Sequence, residues 1–195
     1  MRTKAPPLFP LFRSRGQARL LSRLFITKNA DMPMVALAKE VGLSPSRVFE
    51  EAERLETAGL IRSRRVGKTR ILEANPESPF QPELETLLLK AFGPIPVLEQ
   101  ALAEIAGIEL ALIYGSWASR YLGVVGEPAA DIDLFVVGSP DVAEVRRASR
   151  AAARDLGREV NSTIVTLDEW ASGDSGFLRT LRRRPFVTLA VGRGQ

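Results

Sequence analysis

Cysteine and histidine are both absent from the 195 residues. Without cysteine the chain can form neither disulfides nor thiolate metal sites. Without histidine it cannot build a Ser-His-Asp triad, an imidazole metal centre or an imidazole acid–base catalyst. Any catalysis falls to carboxylates, hydroxyls, Lys, Arg, Tyr or a metal held by oxygen. Also lacking is a run of about 18 apolar residues, so no transmembrane helix and no membrane partner are expected. The first residues, MRTKAPPLFPLFRSR, are basic but broken by Pro6, Pro7 and Pro10. They lack an uninterrupted apolar stretch and a small-residue cleavage site, and read as an extended arm over 1–13, not a signal peptide. A cytoplasmic location is the expectation that follows.

What is present is divided unevenly. Residues 1–75 carry 15 Lys and Arg against 7 Asp and Glu, a net of +8, while the rest of the chain carries 12 against 16, a net of −4. A basic half joined to a mildly acidic one implies two jobs, of which only the first meets a polyanion. The length suits one large or two small domains, and the turn-rich Asn75-Pro76-Glu77-Ser78-Pro79 is a boundary signal that favours two.

In 14–75, Ser14 is placed to cap a helix whose apolar residues Ala18, Leu21, Leu24 and Phe25 recur at helical spacing. Asn29 to Pro33 interrupts the pattern. Val35 to Val41 reads as a short second helix with Leu37, Ala38 and Val41 inward. Gly42-Leu43-Ser44 is a tight turn, and Ser44-Pro45 starts a third helix with Val48, Ala52 and Leu55 as its buried stripe. Gly59 ends it. The β-prone runs Leu60–Val66 and Thr69–Glu73 flank Gly67-Lys68, which suits a type II′ hairpin. A short helix, a glycine turn, a longer helix and a basic hairpin resemble the winged helix-turn-helix domain of bacterial and archaeal transcription regulators. The resemblance implies that the third helix enters the major groove of double-stranded DNA with Ser44, Ser46 and Arg47 at its leading end. It implies also that the hairpin cations Arg62, Arg64, Arg65, Lys68 and Arg70 hold phosphate or reach the minor groove. Glu50, Glu51 and Glu53 must then point away from phosphate.

Residues 76–106 read as two linking helices, Pro82–Ala91 and Pro94–Ala106. Leu84, Leu87, Leu88 and Ala91 form an apolar stripe on the first, which could seal a homodimer or pack on the second domain. From 107 to 195 strands and helices alternate: strand Ile108–Tyr114, strand Asp131–Val137, helix Asp141–Leu156, strand Glu159–Thr166, a helical turn Asp168–Ala171, helix Ser175–Arg184 and a last strand or tail Phe186–Val191. The chain as a whole is therefore expected to be an α/β (α+β) two-domain protein.

The stretch Leu110 to Gly138 carries the chemistry. Gly115 and Ser116 follow an apolar strand and open a helix, offering backbone N–H groups and a hydroxyl to a phosphate. Asp131 and Asp133 stand two apart on a strand, so both side chains take the same face and can share hard divalent cations, most plausibly Mg²⁺. The order apolar strand, Gly-Ser, short helix, loop, Asp-Ile-Asp-Leu resembles the minimal nucleotidyltransferase branch of the DNA polymerase beta superfamily. The resemblance implies a nucleoside triphosphate on Gly115-Ser116, with Asp131 and Asp133 as metal-binding catalytic residues. At the superfamily's third acidic position stands Asn161; Glu159 shares its strand parity and could substitute if the strand starts earlier. The loop from Trp117 to Ala130 is longer than is usual in minimal members. Two functions follow as expectations. One is a DNA-binding transcriptional regulator whose second domain binds nucleotide and Mg²⁺. The other is an active, antitoxin-type transferase that passes a nucleoside monophosphate to a small-molecule hydroxyl or to a toxin-like protein partner.

Overall fold

The computed structural model describes residue 12 and residues 14–26, 31–126, 129–173 and 175–191. The arm expected over 1–13 lies outside these residues except for Phe12, whose ring meets Phe92 edge-on at 5.2 Å. Helices and strands are mixed throughout, and the chain divides into two compact units, Met1–Gly93 and Pro94–Gln195.

In the first unit, helix α1 (Arg15–Phe25) opens on Ser14, whose side chain accepts from the Gln17 N–H. Strand β1 (Met32–Pro33) leads into α2 (Met34–Val41), then Gly42, then α3 (Pro45–Thr57). Ser44 caps α3 by accepting from the Arg47 N–H, and Pro45 supplies a preset φ where no N–H partner is needed. Strands β2 (Ile61–Val66) and β3 (Thr69–Ala74) form the hairpin. Its turn holds Gly67 at φ 60°, a conformation that a side chain would strain. The sheet order is β1-β3-β2. Pairing of Met32 with Leu72 fastens the hairpin to the start of α2. A two-residue strand containing proline carries no alternation, which is why β1 has no signal in the sequence.

The buried Leu20, Leu24, Leu37, Val48, Ala52, Ile61 and Leu72 share one core. Helix α4 (Gln81–Phe92) belongs to it: Leu88 is fully buried there and Leu84 and Phe92 pack on its edge. Its apolar stripe is thus used inside the first unit, against α1. Leu87 alone of that stripe stays exposed.

The second unit begins with α5 (Pro94–Leu102), shorter than the sequence suggests. The Ile105 N–H bonds back to the Leu102 carbonyl, and the Gly107 carbonyl then accepts from Ser139, turning the chain into β4 (Ile108–Tyr114). Helix α6 (Gly115–Tyr121), β5 (Ile132–Gly138), α7 (Val142–Leu156) and β6 (Val160–Val165) follow. Then come α8 (Leu167–Ser172), α9 (Gly176–Arg183) and β7 (Val187–Thr188). The sheet order is β6-β5-β4-β7. β5 runs parallel to β6, joined by the crossover helix α7, and β4 is antiparallel to both β5 and β7. Asp141 caps α7 by accepting from Ala143 and Glu144, while Thr166 and Glu169 form a reciprocal capping box on α8. Alternation along the central strands sends Ile113, Leu134 and Val136 to one face, all fully buried. Leu112, Phe135 and Val137 take the other, where Leu178 and Leu181 of α9 cover them. No helix among the described residues is long and apolar enough to cross a membrane.

Candidate nucleic-acid interface and carboxylate site

The start of α3 is turned to solvent. Ser44, Ser46 and Arg47 are all exposed, and the Ser44 and Ser46 hydroxyls lie 3.0 Å apart in a shared hydrogen bond. Of the acidic residues behind them, Glu51 and Glu53 are engaged within the unit, whereas Glu50 is exposed, lies by Arg47 and makes no ion pair among the described residues. Glu51 accepts from Gln17 of α1 and pairs with Arg54, both at 3.0 Å. Glu53 and Glu56 both hold Arg70, and Arg70 lies over the Phe49 ring, 5.2 Å from its centroid.

The five hairpin cations are not equivalent. Arg65 and Lys68 are exposed and make no ion pair among the described residues. Arg62 pairs with Glu73 across the hairpin at 2.8 Å, and Arg64 with Asp31 at 2.5 Å, both on the surface. Arg70 turns inward. Its side chain is only 15% exposed, and it donates to Ser63 as well as to the two glutamates. Burial works against its charge, but the hydrogen bonds and charges of Glu53 and Glu56 outweigh burial and hold its pKa above the ordinary value. Arg70 therefore ties the hairpin to α3, where the sequence alone suggested a phosphate contact. The missed signal is its parity: Arg70 stands two residues before the fully buried Leu72 on β3 and so takes the same face of the strand.

In the second unit the sheet register gathers the acidic site. Asn161 on β6 lies opposite Asp133 on β5, and Asp133 lies opposite Tyr114 on β4. Asp131 falls one residue before β5, since the strand begins where the Ile132 N–H bonds the Glu159 carbonyl. The Asn161 Nδ2 donates to Asp131 Oδ2 at 2.8 Å. Asn161 is thus the β6 side chain brought to the aspartates, while Glu159 sits before the strand with its side chain exposed. Gly115 adopts φ 75° directly against Asp133, and a Cβ there would overlap the carboxylate. The turn is closed this tightly only because residue 115 is glycine. Ser116 is exposed beside it at the start of α6.

Two shifted groups record the electrostatics. Partial burial, and secondarily the charge of Asp131, push the Asp133 carboxyl above its ordinary 3.8. Burial also raises Tyr114 above 10.0, with Asp133 and Asp131 adding to it and a hydrogen bond from Thr163 opposing. Two carboxylates that repel each other, faced by an amide and a phenol, form a site that a cation would relieve. Tyr114 was not singled out by sequence reasoning; its place opposite Asp133 depends on the β4–β5 register, which no local motif encodes. Arg120 is turned away from this site, donating to the Val124 carbonyl in its own loop.

No curated protein matches the chain. Residues 24–62 match the family model of winged helix-turn-helix DNA-binding domains, spanning the end of α1, all of α2 and α3 and the start of β2. The first unit carries a winged helix-turn-helix DNA-binding domain.

Proposed function

We propose that the protein is a DNA-binding transcriptional regulator whose C-terminal unit is a nucleotidyltransferase-type domain that binds a nucleoside triphosphate with Mg²⁺. The DNA part is supported by the family match joined to the exposed leading end of α3, where Ser44, Ser46 and Arg47 are all exposed. Arg47 reads base edges in the major groove, and Arg65 and Lys68 hold phosphate. Binding as a homodimer to two half-sites belongs to the same reading.

The nucleotide part is supported by the mixed sheet, by the Gly115-Ser116 turn closed against Asp133 and by the Asn161–Asp131 hydrogen bond. Asp131 and Asp133 supply anionic oxygens and the Asn161 side-chain carbonyl a neutral one. Among the described residues no group of three or more acidic side chains gathers. The donor set therefore fits one hard divalent cation better than a two-metal centre. Bound Mg²⁺ would supply charge neutralisation for the phosphates. Asp131 is held in place by the Asn161 amide, and Ser116 presents a hydroxyl to the phosphate. Asparagine brings no charge and cannot serve as a base, so this geometry favours holding a nucleotide over turning it over.

Fluorescence anisotropy with a duplex from upstream of the protein's own gene tests the DNA part. Affinity is expected to fall steeply with salt, and Arg47→Ala to weaken binding by about tenfold or more. Binding insensitive both to salt and to Arg47→Ala would refute it.

A further inference from the structure

Charge in the second unit is not spread evenly. Residues 94–195 carry 11 arginines against 13 Asp and Glu, yet α7 presents Arg146, Arg147, Arg150 and Arg154 together, all exposed. At 3.6 residues per turn the four fall within about 100° of arc, opposite the buried Val145, Ser149 and Ala152. Glu144 and Asp155 lie on the flank of that arc. Arg147 pairs with Glu144 at 3.4 Å. Arg146, Arg150 and Arg154 make no ion pair among the described residues.

Those three stand at i, i+4 and i+8, so each guanidinium is set beside another of like charge, which works against the helix. Only Arg154, in the last turn, is compensated by the helix dipole. Ala143, Ala151 and Ala153 are interleaved with them and form a low floor. The one large apolar side chain exposed on α7 is Val142, at its first residue, so the arginine face has no apolar centre of the kind on which protein interfaces are anchored. Ser149 is turned inward and donates to the Val145 carbonyl at 2.9 Å. The three arginines run about 12 Å along the helix axis, a length over which duplex DNA presents about seven phosphate charges. Guanidinium groups match phosphate oxygens two at a time.

We propose that the arginine face of α7 is a second contact to double-stranded DNA, made to phosphates and independent of sequence. This contact rests on the reading of the chain as a DNA-binding protein and extends it to the unit that carries no helix-turn-helix. Net charge alone pointed to the first half as the only part that meets a polyanion; an average over the acidic half conceals one cationic helix face. The winged helix chooses the site, and α7 adds affinity through counterion release.

Anisotropy titrations of the full chain over a salt series test this, with the duplex from upstream of its own gene and a random-sequence duplex of the same length. Arg146→Gln/Arg150→Gln/Arg154→Gln is expected to weaken both duplexes by the same factor and to lower the log–log salt slope by about 2.7, the value of three phosphate contacts. The corresponding triple lysine variant keeps the charge and is expected to keep the slope. Arg47→Ala is expected to weaken the upstream duplex alone. An unchanged slope in the glutamine variant, with Arg47→Ala still weakening the upstream duplex, would overturn the α7 contact and leave the winged-helix reading standing. Loss of poly-L-glutamate binding in the glutamine variant with both duplexes bound as before would overturn it also, and assign the face to an acidic protein. Wild type that binds neither duplex would overturn both readings.

Discussion

The acidic side chains of the two units are placed on opposite principles. On α3 of the first unit each engaged glutamate meets a cation: Glu51 has Arg54, and Glu53 and Glu56 share Arg70. In the second unit Asp131 and Asp133 are set beside each other and beside an amide and a phenol, and partial burial, with the charge of Asp131 second, raises the pKa of Asp133. Matched charge completes a fold and leaves nothing to bind, whereas like charges held together at a strand end cost stability unless a ligand repays it. The same contrast separates the hairpin cations. Arg70, matched, belongs to the structure; Arg65 and Lys68 are exposed, make no ion pair among the described residues and are the proposed phosphate contacts.

Four changes break or sharpen that contrast. The largest effect is expected at Arg70. Arg70→Met keeps much of the apolar stem but leaves Glu53 and Glu56 without their cation, and is expected to cost about 2 kcal/mol of stability in denaturant unfolding; a change within about 0.5 kcal/mol would place Arg70 among the surface pairs of little worth. Next is Asn161→Asp, which adds a third carboxylate to the site. Mg²⁺ affinity, read by calorimetry, is expected to rise about tenfold as the ligand charge increases, and the metal-free protein to melt lower. Unchanged affinity would remove Asn161 from the metal's reach.

A smaller effect is expected from Asp133→Asn. The folded pKa of Asp133 lies above its ordinary 3.8, so the fold binds this proton more tightly than the unfolded chain does. The stability linked to it is complete below 3.8 and is lost as pH rises through the raised folded value. Melting temperatures of the metal-free wild type are therefore expected to fall relative to Asp133→Asn as pH rises across that window. Parallel curves for the two proteins would contradict the shift. The smallest effect is expected at the unmatched cations: Lys68→Ala should leave stability unchanged and lower the log–log salt slope of DNA binding by about 0.9, the value of one phosphate contact. A changed melting temperature with an unchanged slope would assign Lys68 to the fold.

Much of the first unit is legible in sequence because its signals are local. Ser14 and Ser44 cap helices as their side-chain chemistry dictates, Gly42 takes the left-handed C-cap of α2, and Gly67 makes the hairpin turn. In the second unit the strands of the site were legible from apolar runs, and Asp141 and Ser175 mark the starts of α7 and α9. What the sequence could not supply depends on pairing between distant segments. β1 is two residues whose only signature is its partner β3. The α4 stripe shows that a face is apolar without showing which core receives it. The inward turn of Arg70 follows from where α3 lies beneath the hairpin, and the approach of Asn161 to Asp131 from the parallel register of β5 and β6. Tyr114 joins the carboxylate site only once β4 is paired with β5.

The central proposal is that the unmatched carboxylates Asp131 and Asp133 hold a nucleotide with Mg²⁺. Calorimetric titration of ATP with Mg²⁺ into the full chain, wild type beside Asp131→Ala/Asp133→Ala, tests it most directly. The account predicts saturable binding by wild type and its loss in the double variant, with DNA affinity retained. Equal binding by both proteins, or none by wild type, would contradict it.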